Sequence, residues 1–187
     1  MAMRFKYVIA LFLLLAQLVA CGSVPADQAT GDAAQSGSGG LSPESVTRGF
    51  FEDLGRALKD PALGQEAIRT IWVERLAGYF APNERDSQRD TLDIALANFA
   101  DGRAKLAADE TLLIEIRFDE PRSISKDGDH ALVQLPNASI FMQISRLTDR
   151  GPIPYYEQPI SLERVIGRSD GSVPTIRIGN RWFLTEG

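Results

Sequence analysis

Cysteine and histidine are almost absent from this chain, since 187 residues contain one of each. A lone cysteine forms no disulfide within the chain, so a hydrophobic core has to hold the fold. A zinc site needs three or four converging ligands, mostly Cys or His, and a Ser or Cys nucleophile needs a base held beside it. The sequence also lacks a Gly-x-Ser-x-Gly elbow. We therefore expect no metal, no cofactor and no catalytic triad, and we interpret His130 as a strand-edge residue.

An excess of positive charge is also missing. The chain has 20 Lys and Arg residues against 25 Asp and Glu residues, a formal net charge of −5. The first 20 residues contain Arg4 and Lys6 and no acid, so the remainder carries 18 basic and 25 acidic groups, near −7. A nucleic-acid interface needs a basic surface. The sequence thus predicts no nucleic-acid partner.

A long apolar run occurs only at the N-terminus. Arg4 and Lys6 precede an apolar segment from Tyr7 to Val19, which is the order of a secretory signal. The segment is shorter than the roughly 20 residues that a membrane-spanning helix needs. We therefore interpret residues 1–20 as a signal peptide.

The end of this run, Leu18-Val19-Ala20-Cys21, resembles the lipobox of bacterial lipoproteins. The resemblance implies cleavage after Ala20 and a diacylglyceryl thioether on Cys21. Two acyl chains anchor a protein stably where a single chain binds only marginally. The sequence predicts a membrane-anchored protein of the bacterial cell envelope, exposed outside the cytoplasm, with the membrane and leaflet left open.

Residues 21–40 are expected to form a lipidated, flexible tether. The segment from Gly22 to Gly40 is dominated by small and polar side chains, which cannot bury enough apolar surface to offset the entropy of ordering. As a flexible coil it would span about 25 Å. Residues 41–187 then have the length and apolar content of one globular domain.

The first half of this domain has helical periodicity. Ser42 and Pro43 predict the N-cap and first position of a helix that ends before Pro61. The apolar positions predict three helices: Val46, Phe50, Phe51, Leu54 and Leu58 in the first; Ile68, Ile71, Trp72, Leu76, Tyr79 and Phe80 in the second; and Leu92, Ala95, Leu96 and Phe99 in the third, from about Asp86 to Leu106.

The second half alternates with a period of two, as strands do. Asp127-Gly128-Asp129 and Gly179-Asn180 supply hairpin turns, and Ser169-Asp170-Gly171 is a further turn rather than a calcium loop. The predicted strands are residues 112–118, 123–125, 130–135, 139–147, 160–166, 175–178 and 181–185. A loop is expected between the fourth and fifth of these, containing Pro152-Ile153-Pro154-Tyr155-Tyr156.

Helices followed by antiparallel strands predict an α+β fold with three N-terminal helices packed on a bent antiparallel β-sheet. This order resembles the NTF2-like (cystatin-like, SnoaL-like) superfamily over about Ser42 to Thr185. The segment from Ile178 to Leu184 resembles the last hairpin of that family. The resemblance implies a cone-shaped sheet around an apolar pocket, with Trp182 packed against the helices, and pairing of two copies through the sheet.

Two functions remain open. The first is a non-catalytic binding or accessory module for a small apolar ligand or a protein partner. The second is a small-molecule isomerase or hydratase, for which Asp119 or Glu120 would supply a pocket carboxylate. The residues proposed to line a pocket or a contact surface are Trp72, Tyr79, Phe80, Phe99, Tyr155, Tyr156 and Trp182.

Overall fold

The computed structural model describes residues 39–161 and 170–186. The signal peptide, Cys21 and all but the last two residues of the expected tether lie outside them. The described residues form an α+β structure of three helices and seven strands: α1 (Pro43–Lys59), α2 (Glu66–Ala77), α3 (Arg85–Ala104), β1 (Glu110–Arg117), β2 (Arg122–Asp127), β3 (His130–Gln134), β4 (Ser139–Thr148), β5 (Gly151–Ser161), β6 (Ser172–Ile178) and β7 (Arg181–Leu184).

Helix α1 begins and ends where the sequence predicts. The Ser42 hydroxyl accepts a hydrogen bond from the Ser45 backbone N–H at 3.1 Å, and the Ser45 hydroxyl accepts one from the Ser42 N–H at 2.9 Å. This reciprocal pair forms a capping box, with Pro43 at the first helical turn. The helix ends at Lys59, two residues before Pro61.

The predicted apolar face of α2 is partly wrong. Ile71 is 63% exposed, and the buried residues of the helix are Val73, Leu76 and Ala77. Phe80 lies beyond the end of the helix and bridges to β7. A helix of 12 residues offers few apolar positions, so packing against α3, rather than periodicity, decides which side is buried.

All the described strands pair antiparallel, but they form two hydrogen-bonded sheets instead of one. The strand orders are β1-β4-β5 and β2-β3-β6-β7. The β1–β2 and β3–β4 connections remain joined by a hydrogen bond from the Asp119 N–H to the Pro136 carbonyl, at 2.9 Å. Pro121 and Pro136 lie in these connections and cannot donate to a ladder, which explains why the ladder is interrupted there.

The predicted loop at residues 152–156 is wrong, because these residues belong to β5. This strand pairs with β4 from Ser161, opposite Ser139, to Gly151, opposite Thr148, with a bulge at Tyr155. The strand predicted from residue 160 therefore begins inside β5, and residues 162–166 lie outside the described residues. Proline is compatible with an edge strand, and β5 is the edge of its sheet.

The two predicted hairpin turns are confirmed. Gly128 and Gly179 adopt positive φ angles of 57° and 64°, a region that glycine adopts more readily than residues with a Cβ atom. The core lies between the helices and the sheets and includes Leu76, Leu92, Leu96, Ile140 and Trp182. Among the described helices, none has the length and apolar content to span a membrane.

Candidate functional site

A groove of about 550 Å³ lies between α1 and the C-terminal end of β1. Its floor is apolar and is formed by Phe51, Ile116 and Phe118. The Phe51 and Phe118 rings meet edge to face with centroids 6.3 Å apart, an arrangement that the ring quadrupoles favour. Gly55 forms part of the helical wall, and a Cβ atom there would lie 3.9 Å from Ile116 Cγ1. The missing side chain therefore keeps this part of the groove open.

Charged side chains of both signs form the rim. Arg48, Glu52, Arg56 and Lys59 project from successive turns of α1. Arg48 is paired with Glu120 on the opposite rim. These groups are exposed or half-exposed, so water screens each pair and its contribution to stability is small. The rim is suited to a partner that brings alternating charges.

Asp119 and Glu120, the carboxylates that the sequence suggests for catalysis, both line this groove. Asp119 accepts a hydrogen bond from Asn137 Nδ2 at 2.7 Å and is exposed. The Glu120 side chain is 68% exposed and bound to Arg48. Both carboxylates lie at the wet rim rather than on the apolar floor.

A buried carboxylate that sequence reasoning missed lies between α1 and α2. Asp53 is 1% exposed. It accepts hydrogen bonds from Arg75 Nε at 2.6 Å, Arg75 Nη2 at 3.0 Å, Tyr79 Oη at 2.7 Å and Arg56 Nη1 at 2.7 Å. The signal in the sequence was an acid within the apolar face of the first helix, next to Leu54.

The electrostatics of this cluster keep Asp53 ionised. Burial alone would raise the pKa of Asp53, but the hydrogen bonds from Arg75 and Tyr79 outweigh burial and lower it. Burial, together with the neighbouring carboxylate, raises the pKa of Tyr79 to about 12. Asp53 does not line the groove. Its carboxylate oxygens already accept hydrogen bonds from Arg75, Tyr79 and Arg56. The cluster therefore ties α1 to α2.

The aromatic residues suggested for a pocket lie elsewhere. Phe80, Phe99 and Trp182 are buried in the core, and Trp72 and Tyr79 pack against it. The Trp72 indole N–H donates to Asp60 Oδ2 at 2.8 Å. None of the seven predicted residues lines the α1–β1 groove, so the structure separates the aromatic set from Asp119 and Glu120.

Tyr155 and Tyr156 lie on β5. Tyr155 is 53% exposed, its hydroxyl donates to Glu110 Oε1 at 2.8 Å, and the Arg146 guanidinium lies 5.5 Å from the ring centroid. Tyr156 is partly buried and hydrogen-bonds Gln158 on the same strand. These contacts stay within the β1-β4-β5 sheet.

His130 is exposed at the start of β3. Within residues 39–161 and 170–186, no three His, Cys, Asp or Glu side chains come together in a way that could hold a metal ion. No known family model matches the chain, and a comparison with curated proteins finds no significant match.

Proposed function

We propose that this chain is a lipid-anchored protein of the bacterial cell envelope whose NTF2-like domain is a non-catalytic binding module. The binding surface is the α1–β1 groove. The observation that carries this proposal is the combination of an apolar floor with a solvated rim of both charges. Such a surface offers apolar contact and orienting polar groups, as binding sites do.

The element order supports the NTF2-like part of the proposal. Helices come first, and the strands then follow as antiparallel neighbours. The bonded pair Asp119–Pro136 lies where β1 gives way to β2 and β3 to β4, as expected for one bent sheet. Trp182 is buried in the core against the helices.

The rival function, an isomerase or hydratase, has one observation in its favour, because Asp119 and Glu120 lie in the groove. Such an enzyme needs a desolvated carboxylate with a raised pKa at the bottom of its pocket. The two groove carboxylates are exposed. The buried carboxylate, Asp53, is held ionised away from the groove. The geometry therefore favours binding over proton transfer.

The anchor is tested by detergent partitioning of the full chain and its Cys21→Ala variant in the native host. The wild type is expected in the detergent phase, because two acyl chains hold it at the membrane. The variant should lose the acyl modification and the mass that it adds. Recovery of unacylated wild-type protein in the aqueous phase would contradict the anchor.

The groove is tested by native mass spectrometry of the full chain extracted in mild detergent. Gly55→Leu places a side chain in the groove, whereas Gly102→Leu is the matched control, because a Cβ at Gly102 meets nothing within 4 Å. A bound species that Gly55→Leu releases and Gly102→Leu retains supports the proposal. A bare monomer in all three proteins, or a bound species insensitive to Gly55→Leu, contradicts it.

A further inference from the structure

The two edges of the β1-β4-β5 sheet differ in what their backbones offer. The Leu147 N–H donates to the Asp109 carbonyl at 2.7 Å. Hydrogen-bonded and non-bonded pairs alternate along an antiparallel ladder. Counting in steps of two along the unbroken β1–β4 register, residues 111, 113, 115 and 117 bond to β4. The amide and carbonyl groups of Leu112, Ile114 and Ile116 therefore point outward, and no described strand lies beyond them.

The same alternation shows that the β5 edge is blocked. Pro152, Pro154 and Pro159 lie opposite Leu147, Ser145 and Phe141 of β4. Those three β4 residues belong to the set that bonds to β1, so their β5 partners direct their backbone nitrogens outward. Proline has no N–H to donate. An incoming strand therefore finds donors missing at three positions on β5 and none missing on β1.

The part of the β1 edge that borders the groove is at Ile116, since Ile114 is only 4% exposed. Ile116 contributes both the outward backbone and a floor side chain. Gly55 on α1 leaves space beside it. A strand entering the groove can thus reach unpaired backbone groups as well as apolar side chains, which is the mode of recognition by β-strand addition.

The segment from Ile114 to Phe118 is complementary to itself in the antiparallel direction. Its pattern about Ile116 is apolar, acidic, apolar, basic, apolar. Around a two-fold axis through Ile116, Glu115 of each copy lies opposite Arg117 of the other. Ile114 then lies opposite Phe118. This register also makes the outward residue Ile116 a hydrogen-bonded pair with itself, as the alternation requires.

We propose that the partner held in the groove is a second copy of this chain, paired β1 to β1 about Ile116. The inference rests on the proposed function, since it names the occupant of the same groove. In the single chain, Arg117 Nη2 bonds Glu115 Oε2 at 2.6 Å on its own strand. Pairing replaces this contact with one between Glu115 of one copy and Arg117 of the other. The β1-β4-β5 sheets of the two copies then form one continuous sheet.

The test uses charge exchange in the full chain, purified in mild detergent, with the mass measured by sedimentation. The wild type is expected to be a dimer. Glu115→Arg and Arg117→Glu each place like charges opposite one another, so each should be a monomer. The double exchange Glu115→Arg/Arg117→Glu restores opposite charges and should restore the dimer, as should a one-to-one mixture of the two single variants.

Arg150→Glu is the matched control, because it makes the same charge change at the exposed β4–β5 turn and should leave the dimer intact. Thermal melting of each variant checks that it is folded. A monomeric wild type, or single variants that remain dimeric, would overturn the inference. If the wild type is monomeric but carries a small molecule or another protein that Gly55→Leu releases, the second copy is excluded while the binding function stands.

Discussion

β1 and β5 flank the same central strand, β4, but their outer edges differ in the backbone donors that they offer to a further strand. Edge strands expose unpaired backbone groups that attract further strands, and proline is one of the residues that prevents this. β5 carries three prolines at outward positions, whereas β1 carries none and borders a groove. The prolines of β5 therefore prevent an incoming strand from pairing there. On β1, pairing is possible where the edge borders the groove, at Ile116.

Helix α1 is part of this difference, because its position forms the second wall beside β1. The Asp53 cluster ties the helix to α2 through Arg75 and Tyr79, and its remaining donor, Arg56, also lines the groove. Gly55 removes the side chain that would otherwise cover Ile116. The groove therefore depends on the two ion pairs of the buried Asp53 carboxylate and on one glycine.

We expect the greatest loss of stability when proline replaces a β1 residue whose backbone groups face β4. Glu115 bonds to β4, so Glu115→Pro removes a ladder hydrogen bond and should lower the free energy of unfolding by about 3 kcal/mol or more. Glu157→Pro is the control, because Glu157 lies opposite Gln143 and points outward. Urea unfolding should show a much smaller loss for Glu157→Pro. Equal losses would refute the assigned alternation.

A second change weakens the attachment of α1 to α2. Asp53→Asn leaves the guanidinium of Arg75 without its carboxylate and should cost about 2–4 kcal/mol at pH 7. The surface pair Asp129–Arg177 supplies the control, since Asp129→Asn should cost less than about 1 kcal/mol. Urea unfolding measures both.

The same variant has a defined pH dependence. The pKa of Asp53 is lowered on folding, so its contribution is complete above the unfolded value of about 4 and is lost as the pH falls through the folded value. The stability difference between wild type and Asp53→Asn should therefore shrink below about pH 4. A difference that stays constant down to pH 2 would show that folding does not lower the pKa of Asp53.

A third change makes the β5 edge able to pair with another strand. Replacing Pro152, Pro154 and Pro159 with alanine restores three outward N–H donors on β5. Each change should cost about 0.4–1 kcal/mol through the unfolded state, and light scattering should show new self-association. Pro82→Ala, in an exposed connection, is the control that costs stability without association. No rise in association would mean that the prolines do not protect this edge.

A methyl group at residue 55 should change stability least and would partly cover Ile116. Gly55→Ala should stabilise α1 by about 0.5–1 kcal/mol, because alanine has less backbone entropy to lose in a helix. The new Cβ makes an ordinary contact with Ile116. Gly102→Ala should gain the helical part alone, because its Cβ meets open space. Thermal melting would contradict the prediction if Gly55→Ala were the less stable of the two.

Much of the fold could be predicted from local signals. The capping residues and the proline bounds located α1, and the Asp-Gly and Gly-Asn turns located two hairpins. The candidate site was reached only in part. Asp119 and Glu120 do line the groove, but the aromatic residues expected beside them lie in the core or on β5. Periodicity predicts burial and does not say which buried surfaces meet.

Features that depend on neighbours along the chain could be predicted from the order of residues: the helix caps, the tight turns and the switch from period 3.6 to period 2. The acylation of Cys21 stays a prediction of the same kind. Other features depend on contacts between distant parts of the chain. The prolines of β5 predicted a loop, whereas the structure places them in an edge strand. No prediction from the sequence concerned Asp53, whose partners Arg75 and Tyr79 lie more than 20 residues away along the chain. Both outcomes depend on pairing between residues distant in sequence, which no local pattern encodes.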